Sequence, residues 1–106
     1  MEQITTQQLK DKINNGENFV LDLYATWCGP CKIMLGNLIK VNESLIKEST
    51  QPKYNIYKYD IDSDREFVVN ELNVRSVPTI KIFKSGQEVF SKPGVMSPNE
   101  VLNLLN

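Results

Sequence analysis

Residues 19–25 read Phe-Val-Leu-Asp-Leu-Tyr-Ala, and the chain's only two cysteines follow almost at once, in Trp27-Cys28-Gly29-Pro30-Cys31-Lys32. A nearly unbroken apolar run is the pattern of a central strand buried on both faces. From Cys31 onward the apolar residues take up helical spacing, which puts the cysteines at a strand-to-helix junction. A Cys-x-x-Cys pair in that place reads as a dithiol that opens and closes rather than as a structural staple. The two intervening residues let a helix start present Cys28 at its tip and Cys31 one turn in. The partial positive charge and free N–H groups of a helix N-terminus favour a thiolate over a thiol. Lys32 adds a positive side chain beside it.

Other readings of the pair are weaker. A zinc site needs about four protein ligands, and this chain has no histidine and no third cysteine, so no metal is expected. A ring closed over two intervening residues constrains the unfolded chain little, because stabilisation grows with loop length. Two inert core thiols do not suit Gly29-Pro30, which favours an exposed turn.

At 106 residues the chain is expected to form one domain, 1–106, large enough to bury a core without staples. Its 12 basic and 13 acidic residues nearly balance, and no basic cluster points to nucleic acid or an anionic membrane. No apolar run approaches the roughly 20 residues of a membrane span. Met1-Glu2-Gln3-Ile4 lacks the basic start and apolar core of a signal peptide, so a cytoplasmic, reducing location is the expectation. In such a compartment the dithiol cycles.

Thr5-Thr6 before Gln7-Gln8-Leu9 predicts a helix capped by threonine, ending at Asn15-Gly16. After the cysteines, Met34, Leu38, Val41 and Leu45 form one helical stripe with Leu35, Ile39 and Ile46 beside it, and Gly36 is a point where this helix can break or bend. Residues 48–52 are expected to be loop. Tyr54 to Ile61 reads as a strand, Asp62-Ser63-Asp64 as the cap of a helix over residues 65–72, and Val77 to Phe83 as a strand entered through proline. Lys84-Ser85-Gly86-Gln87 predicts a hairpin into an antiparallel strand over residues 88–91, ended by Pro93-Gly94. Ser97, Pro98 and Glu100 form a capping box for the last helix. The order αβαβαββα predicts an α/β fold: a central mixed sheet with helices on both faces.

The chain resembles the thioredoxin family. The resemblance rests on Trp27 to Lys32, on Asp22 in the preceding strand, on Val77-Pro78-Thr79 and on Gly94, in an order and spacing that match over almost the whole chain. It implies the thioredoxin-like fold and the reduction of disulfides in protein substrates. It further implies that no cofactor is held and that the electrons come from NADPH through a thioredoxin reductase. It implies that Cys28 attacks and Cys31 resolves the mixed disulfide. Asp22 aligns with a buried carboxylate that takes the Cys31 proton, Lys58 with a lysine near that carboxylate, and Pro78 with a cis-proline facing the dithiol. Trp27, Gly29, Pro30, Val77, Pro78, Pro93 and Gly94 align with the surface that grips substrates. A monomer is expected.

The residues themselves offer partial checks. Asp22 lies inside an apolar run, so desolvation should raise its pKa; the alternative is a carboxylate in a solvent-filled groove that orders water. Lys58 can equally be an ordinary exposed strand residue, and Trp27 a core residue. Cys31 is expected to lie deeper than Cys28. Gly36, Pro93, a first strand reduced to Gln3-Ile4, and Leu23-Tyr24 depart from the family's usual residues. They bear on partner choice, not on the dithiol. The rival functions are a dedicated electron donor to one partner enzyme and a binding or processivity subunit with an idle dithiol. The intact Trp-Cys-Gly-Pro-Cys speaks against the latter.

Overall fold

Strand β2 (Phe19–Tyr24) sits at the middle of a five-stranded sheet, in the computed structural model, which describes residues 1–49 and 52–106. The other strands are β1 (Glu2–Gln3), β3 (Asn55–Asp60), β4 (Thr79–Lys84) and β5 (Gln87–Pro93), in the order β1-β3-β2-β4-β5. Strands β1, β3 and β2 run parallel; β4 is antiparallel to β2, and β5 to β4. Among the described residues the α-helices are α1 (Thr6–Asn14), α2 (Gly29–Glu48), α3 (Arg65–Asn70) and α4 (Pro98–Leu105), with a 3-10 turn at Ile61–Ser63. This is the mixed α/β sheet that the sequence predicts.

Alternation along each strand divides the core in two. Phe19, Leu21 and Leu23 face α1 and α3, where they meet Leu9, Phe67 and Val68. Val20 on the other face meets Met34, Leu38 and Val41 of α2 and Val101 of α4. Asp22 and Tyr24 share the α2 face with Val20, and this parity places a carboxylate under the helix that carries the cysteines.

Local chemistry sets the helix ends. The Thr5 hydroxyl accepts from the Gln8 N–H while Gln8 bonds back to the Thr5 N–H. Ser97 and Glu100 make the same reciprocal pair on α4. Each cap satisfies two otherwise orphaned donors.

Several boundaries differ from expectation. β1 is Glu2–Gln3, and Ile4 continues it with one bond from its N–H to the Lys58 carbonyl. Helix α2 runs unbroken through Gly36 and includes Glu48; of the predicted loop, Thr50 and Gln51 lie outside the described residues. Ile39 and Ile46 are exposed, while Met34, Leu38 and Val41 of the expected stripe are buried and Leu45 packs partly buried against them. α3 stops at Asn70, and the chain then turns through Asn73 at φ +57°. β4 starts at Thr79, after Pro78, and β5 extends to Pro93, tolerable on an edge strand. Lys81, unremarkable in the sequence, is buried in β4 with its Nζ 2.6 Å from Glu88 and 3.2 Å from Ser91.

The β4–β5 turn places Ser85 and Gly86 both at positive φ, as a two-residue hairpin requires. Gly86 also presses on α1: a Cβ there meets the Ile13 carbonyl oxygen at 2.2 Å. Gly36, by contrast, has open space around it inside a helix. Gly36→Ala should therefore stabilise the protein by roughly 0.5–1 kcal/mol. Gly86→Ala should destabilise it by more than the roughly 1–2 kcal/mol of left-handed strain alone. Urea unfolding of both variants checks the opposite signs.

Candidate active site

Helix α2 begins at the cysteines. Cys28 is its N-cap, with the Cys28 Sγ accepting a hydrogen bond from the Cys31 N–H at 3.2 Å. Pro30 lies in the first turn, where its missing N–H costs nothing. The two cysteines are joined in a disulfide with their Cα atoms 5.3 Å apart. Gly29, Pro30 and Trp27 are exposed around them. Cys31 does not lie deeper than Cys28: they are 4% and 5% exposed. The N-cap position turns the Cys28 side chain back over the first turn of α2, so both sulfurs share the same cover. Ala25, Tyr24, Ile61 and Val77 supply it.

Asp22 is 1% exposed, and its Oδ1 has no hydrogen-bond partner among the described residues. It lines a pocket of about 230 Å³ together with Tyr24, Cys31, Lys32, Leu35 and Lys58. Burial pushes its carboxyl up from the ordinary 3.8 to about 7, and the positive charge of Lys58 pulls the other way. The desolvated carboxylate of the sequence reading and its groove-facing alternative thus both hold in part: Asp22 is buried, and a small pocket opens on it. Lys58 is half-buried on the adjacent strand, in register with Asp22. It is therefore not fully exposed, as the alternative reading of an ordinary strand lysine would have it. Lys32 is exposed at the same pocket.

The loop facing the dithiol comes from the start of β4 and the end of β5. The Val77–Pro78 peptide is cis. The Gly94 N–H donates to the Pro78 carbonyl at 2.8 Å, tying the two segments together. Gly94 adopts φ +95°, and Pro93 pairs with Thr79 in the sheet. Trp27 is 64% exposed, not core, and its indole Nε1 donates to Asp62 Oδ2 at 2.8 Å. Asp62 in turn accepts from Arg65, and these bonds, that from Arg65 first, hold its carboxyl below the usual range. Trp27, Ile61, Val68, Val69, Val74 and Arg75 border a mostly apolar groove of about 330 Å³ beside the disulfide.

All of the site residues read from the sequence therefore lie at one end of the sheet. Asp62 and Arg65 as the anchor of Trp27, and Gln3, whose Oε1 accepts from the Tyr24 hydroxyl at 2.8 Å, were not foreseen. Their partners lie 35 and 21 residues away, and no local pattern signals them. Among the described residues no cluster of three or more Cys, Asp or Glu could hold a metal ion. No described helix is long and apolar enough to cross a membrane. What the geometry does hold is a dithiol–disulfide couple in one helical turn, beside a carboxyl that titrates near neutrality.

The comparisons agree with that chemistry. The thioredoxin family profile matches residues 1–106. The chain is 30% identical to a thioredoxin of Rickettsia prowazekii over 97% of its own length and 93% of that protein's. It is 32% identical to a thioredoxin of Mycoplasmoides gallisepticum over 99% of both. Mitochondrial thioredoxin 3 of Saccharomyces cerevisiae, in its oxidized form, superposes with a TM-score of 0.78 at 28% identity, covering 99% of this chain and 92% of that one. The profile, the relatives and the Cys28–Cys31 pair make this chain a thiol–disulfide oxidoreductase that belongs to the thioredoxin family.

Proposed function

We propose that the protein is a general protein-disulfide reductase in which Cys28 attacks, Cys31 resolves and Asp22 handles the proton. The observation that carries this reading is the Asp22 carboxyl, buried and lining one pocket with Cys31. The Cys28 thiolate attacks one sulfur of a substrate disulfide, the substrate S–S bond breaks, and the first substrate thiolate leaves. Cys31 gives its proton to the Asp22 carboxylate, directly or through a water, and attacks the Cys28 sulfur. The second substrate thiolate leaves, two electrons have passed to substrate, and Cys28–Cys31 is oxidised. A carboxyl with pKa about 7 is half ionised at neutral pH, so it can both accept and release that proton. A thioredoxin reductase drawing on NADPH returns the two electrons.

Trp27, Gly29, Pro30, Val77, Pro78, Pro93 and Gly94 border the disulfide and form the surface on which an extended substrate segment lies. Support for this comes from their exposed or loop positions around Cys28. Pro93 offers no N–H to such a segment. Lys58 tunes Asp22 and Lys32 adds positive charge at the thiolate. We read the protein as a cytoplasmic monomer whose one domain is the whole chain.

Cys28→Ser should abolish insulin reduction in an NADPH-coupled assay with a reductase supplied. Cys31→Ser should instead accumulate a mixed disulfide, visible as a mass adduct. Equal alkylation rates of the two reduced cysteines at neutral pH would overturn the assignment.

Asp22→Asn should leave mixed-disulfide formation nearly intact and slow its resolution by roughly 10- to 100-fold. Resolution at the wild-type rate from pH 6 to 9 would make the carboxylate a bystander. The same variant isolates a pH effect on stability. Below pH 4 Asp22 is protonated in both the folded and unfolded chain. Between pH 4 and 7 the unfolded chain ionises while the folded one keeps its proton, so stability falls with rising pH and levels off above about 7. The interval is worth roughly 4 kcal/mol at about 1.4 kcal/mol per pH unit. Asp22→Asn should therefore gain most over wild type at pH 8 and little at pH 4, read by urea unfolding.

A further inference from the structure

We propose that Tyr24, tethered by Gln3, is a positioning residue that holds the Lys58 ammonium beside the Asp22 pocket and so sets how readily Asp22 gives up its proton. The argument begins with register. Gln3 in β1, Lys58 in β3 and Asp22 in β2 are partners in one row across three strands. One step along, Tyr24 and Asp60 form the next row on the same face. The Tyr24 side chain crosses β3 diagonally, and its hydroxyl donates to Gln3 Oε1 at 2.8 Å. In doing so it passes the Lys58 ammonium, which lies 5.5 Å from the ring centroid.

That ring is what holds the lysine. Among the described residues the Lys58 ammonium has no hydrogen bond and no carboxylate within 4.0 Å. Asp60, the carboxylate nearest it along the strand, is engaged: its Oδ1 accepts the Asp62 N–H at 2.9 Å. An ammonium within about 6 Å of an aromatic face is attracted by the ring quadrupole. The hydroxyl tether keeps the ring from swinging away. Released from the ring, Lys58 turns toward Asp60 and solvent, and the pocket loses its nearer positive charge.

The charged and titratable groups facing Asp22 and Lys58 are few. They are Tyr24 from β2, Asp60 from β3 and Lys32 from α2, while β4 contributes the apolar Ile80 beside Asp22 and β1 the neutral Gln3. Burial first, then the charges of Asp60 and Asp22, push the Tyr24 phenol up, so it stays neutral and keeps its donor. Lys58 is the group in this set that lowers the Asp22 carboxyl. The placement of that charge is what Tyr24 controls.

The consequence for turnover rests on the reading of Asp22 as proton acceptor; the placement of Lys58 does not. The test is accordingly done on the oxidised protein, where neither cysteine titrates, by following the Asp22 carboxyl carbon by NMR against pH. Tyr24→Leu should raise the Asp22 midpoint by about half a pH unit, a roughly three-fold change in ionisation constant. In a Lys58→Met background the same change should move it by less than a third of that. Tyr24→Phe and Gln3→Leu, which keep the ring and remove only the tether, should give smaller upward shifts, and they keep the test open should Tyr24→Leu fail to fold. A downward shift in Tyr24→Leu, or an equal shift with and without Lys58, means that Tyr24 acts by excluding water, and the proposal falls. If the shift appears as expected but mixed-disulfide resolution keeps the wild-type pH profile, the positioning stands and Asp22 is not the base.

Discussion

Strand β2 is hydrogen-bonded on both edges and covered by helices on both faces, and it carries a carboxylate in its middle. Burying an ionised carboxylate is costly, so the group either finds a partner or keeps its proton. Among the described residues Asp22 finds no hydrogen-bond partner for its Oδ1, and it is pushed to about 7. The stability of the central strand and the proton chemistry of the dithiol are thus coupled through one side chain. A fold optimised for stability alone would place an apolar residue there, as Val20 and Ile80 on the same face illustrate.

The same strand sets the position of everything else in the site. Its last residue, Tyr24, hands the chain through a short loop to Cys28, where α2 begins over the Asp22 face. The first helical turn then does two things at once. It brings the cysteines within bonding distance and aims the Cys31 N–H at the Cys28 sulfur, which with the positive helix end favours the thiolate. Positive side chains complete the electrostatics: Lys32 and Lys58 stand at a pocket whose walls are otherwise mostly apolar, where charge is poorly screened.

The two edges of the sheet are managed differently. β1 pairs with β3 over two residues only, and the Tyr24–Gln3 bond adds a side-chain stitch across that short edge. β5 is longer and exposed, and it is guarded by Lys92, by Pro93 and by a register shift opposite Ile82/Phe83. Such features discourage a second strand from adding to an edge. The hairpin that carries β5 is fastened to the start of β2, with the Gly86 N–H on the Glu17 carbonyl and the Ser85 N–H on Asn18 Oδ1. That anchor fixes the far end of β4 and β5, and so the position of Pro78 and Gly94 at the near end.

Local chemistry in the sequence was enough for most of the architecture. Thr5 with Gln8 and Ser97 with Glu100 mark helix starts by their own hydrogen bonds, Ser85-Gly86 marks a turn, and the apolar run before Cys28 marks a central strand. The dithiol was legible because its two cysteines are neighbours in the chain, and the desolvation of Asp22 because the apolar run around it marks a central strand, although β3, β4 and α2 are what bury it. Where expectation failed, distant packing had intervened. Ile39 and Ile46 lie beside the helical stripe yet face solvent, because α2 meets the core through Met34, Leu38 and Val41, with Leu45 packed at its margin. Lys81 is buried because Glu88 and Ser91 meet it from the neighbouring strand. The equal cover on Cys28 and Cys31, the Trp27–Asp62–Arg65 chain, and the Gln3–Tyr24–Lys58 row were decided only when strands far apart in sequence came into register. Periodicity and capping encode which face a residue takes, but not which side chain from another strand or loop will stand opposite it.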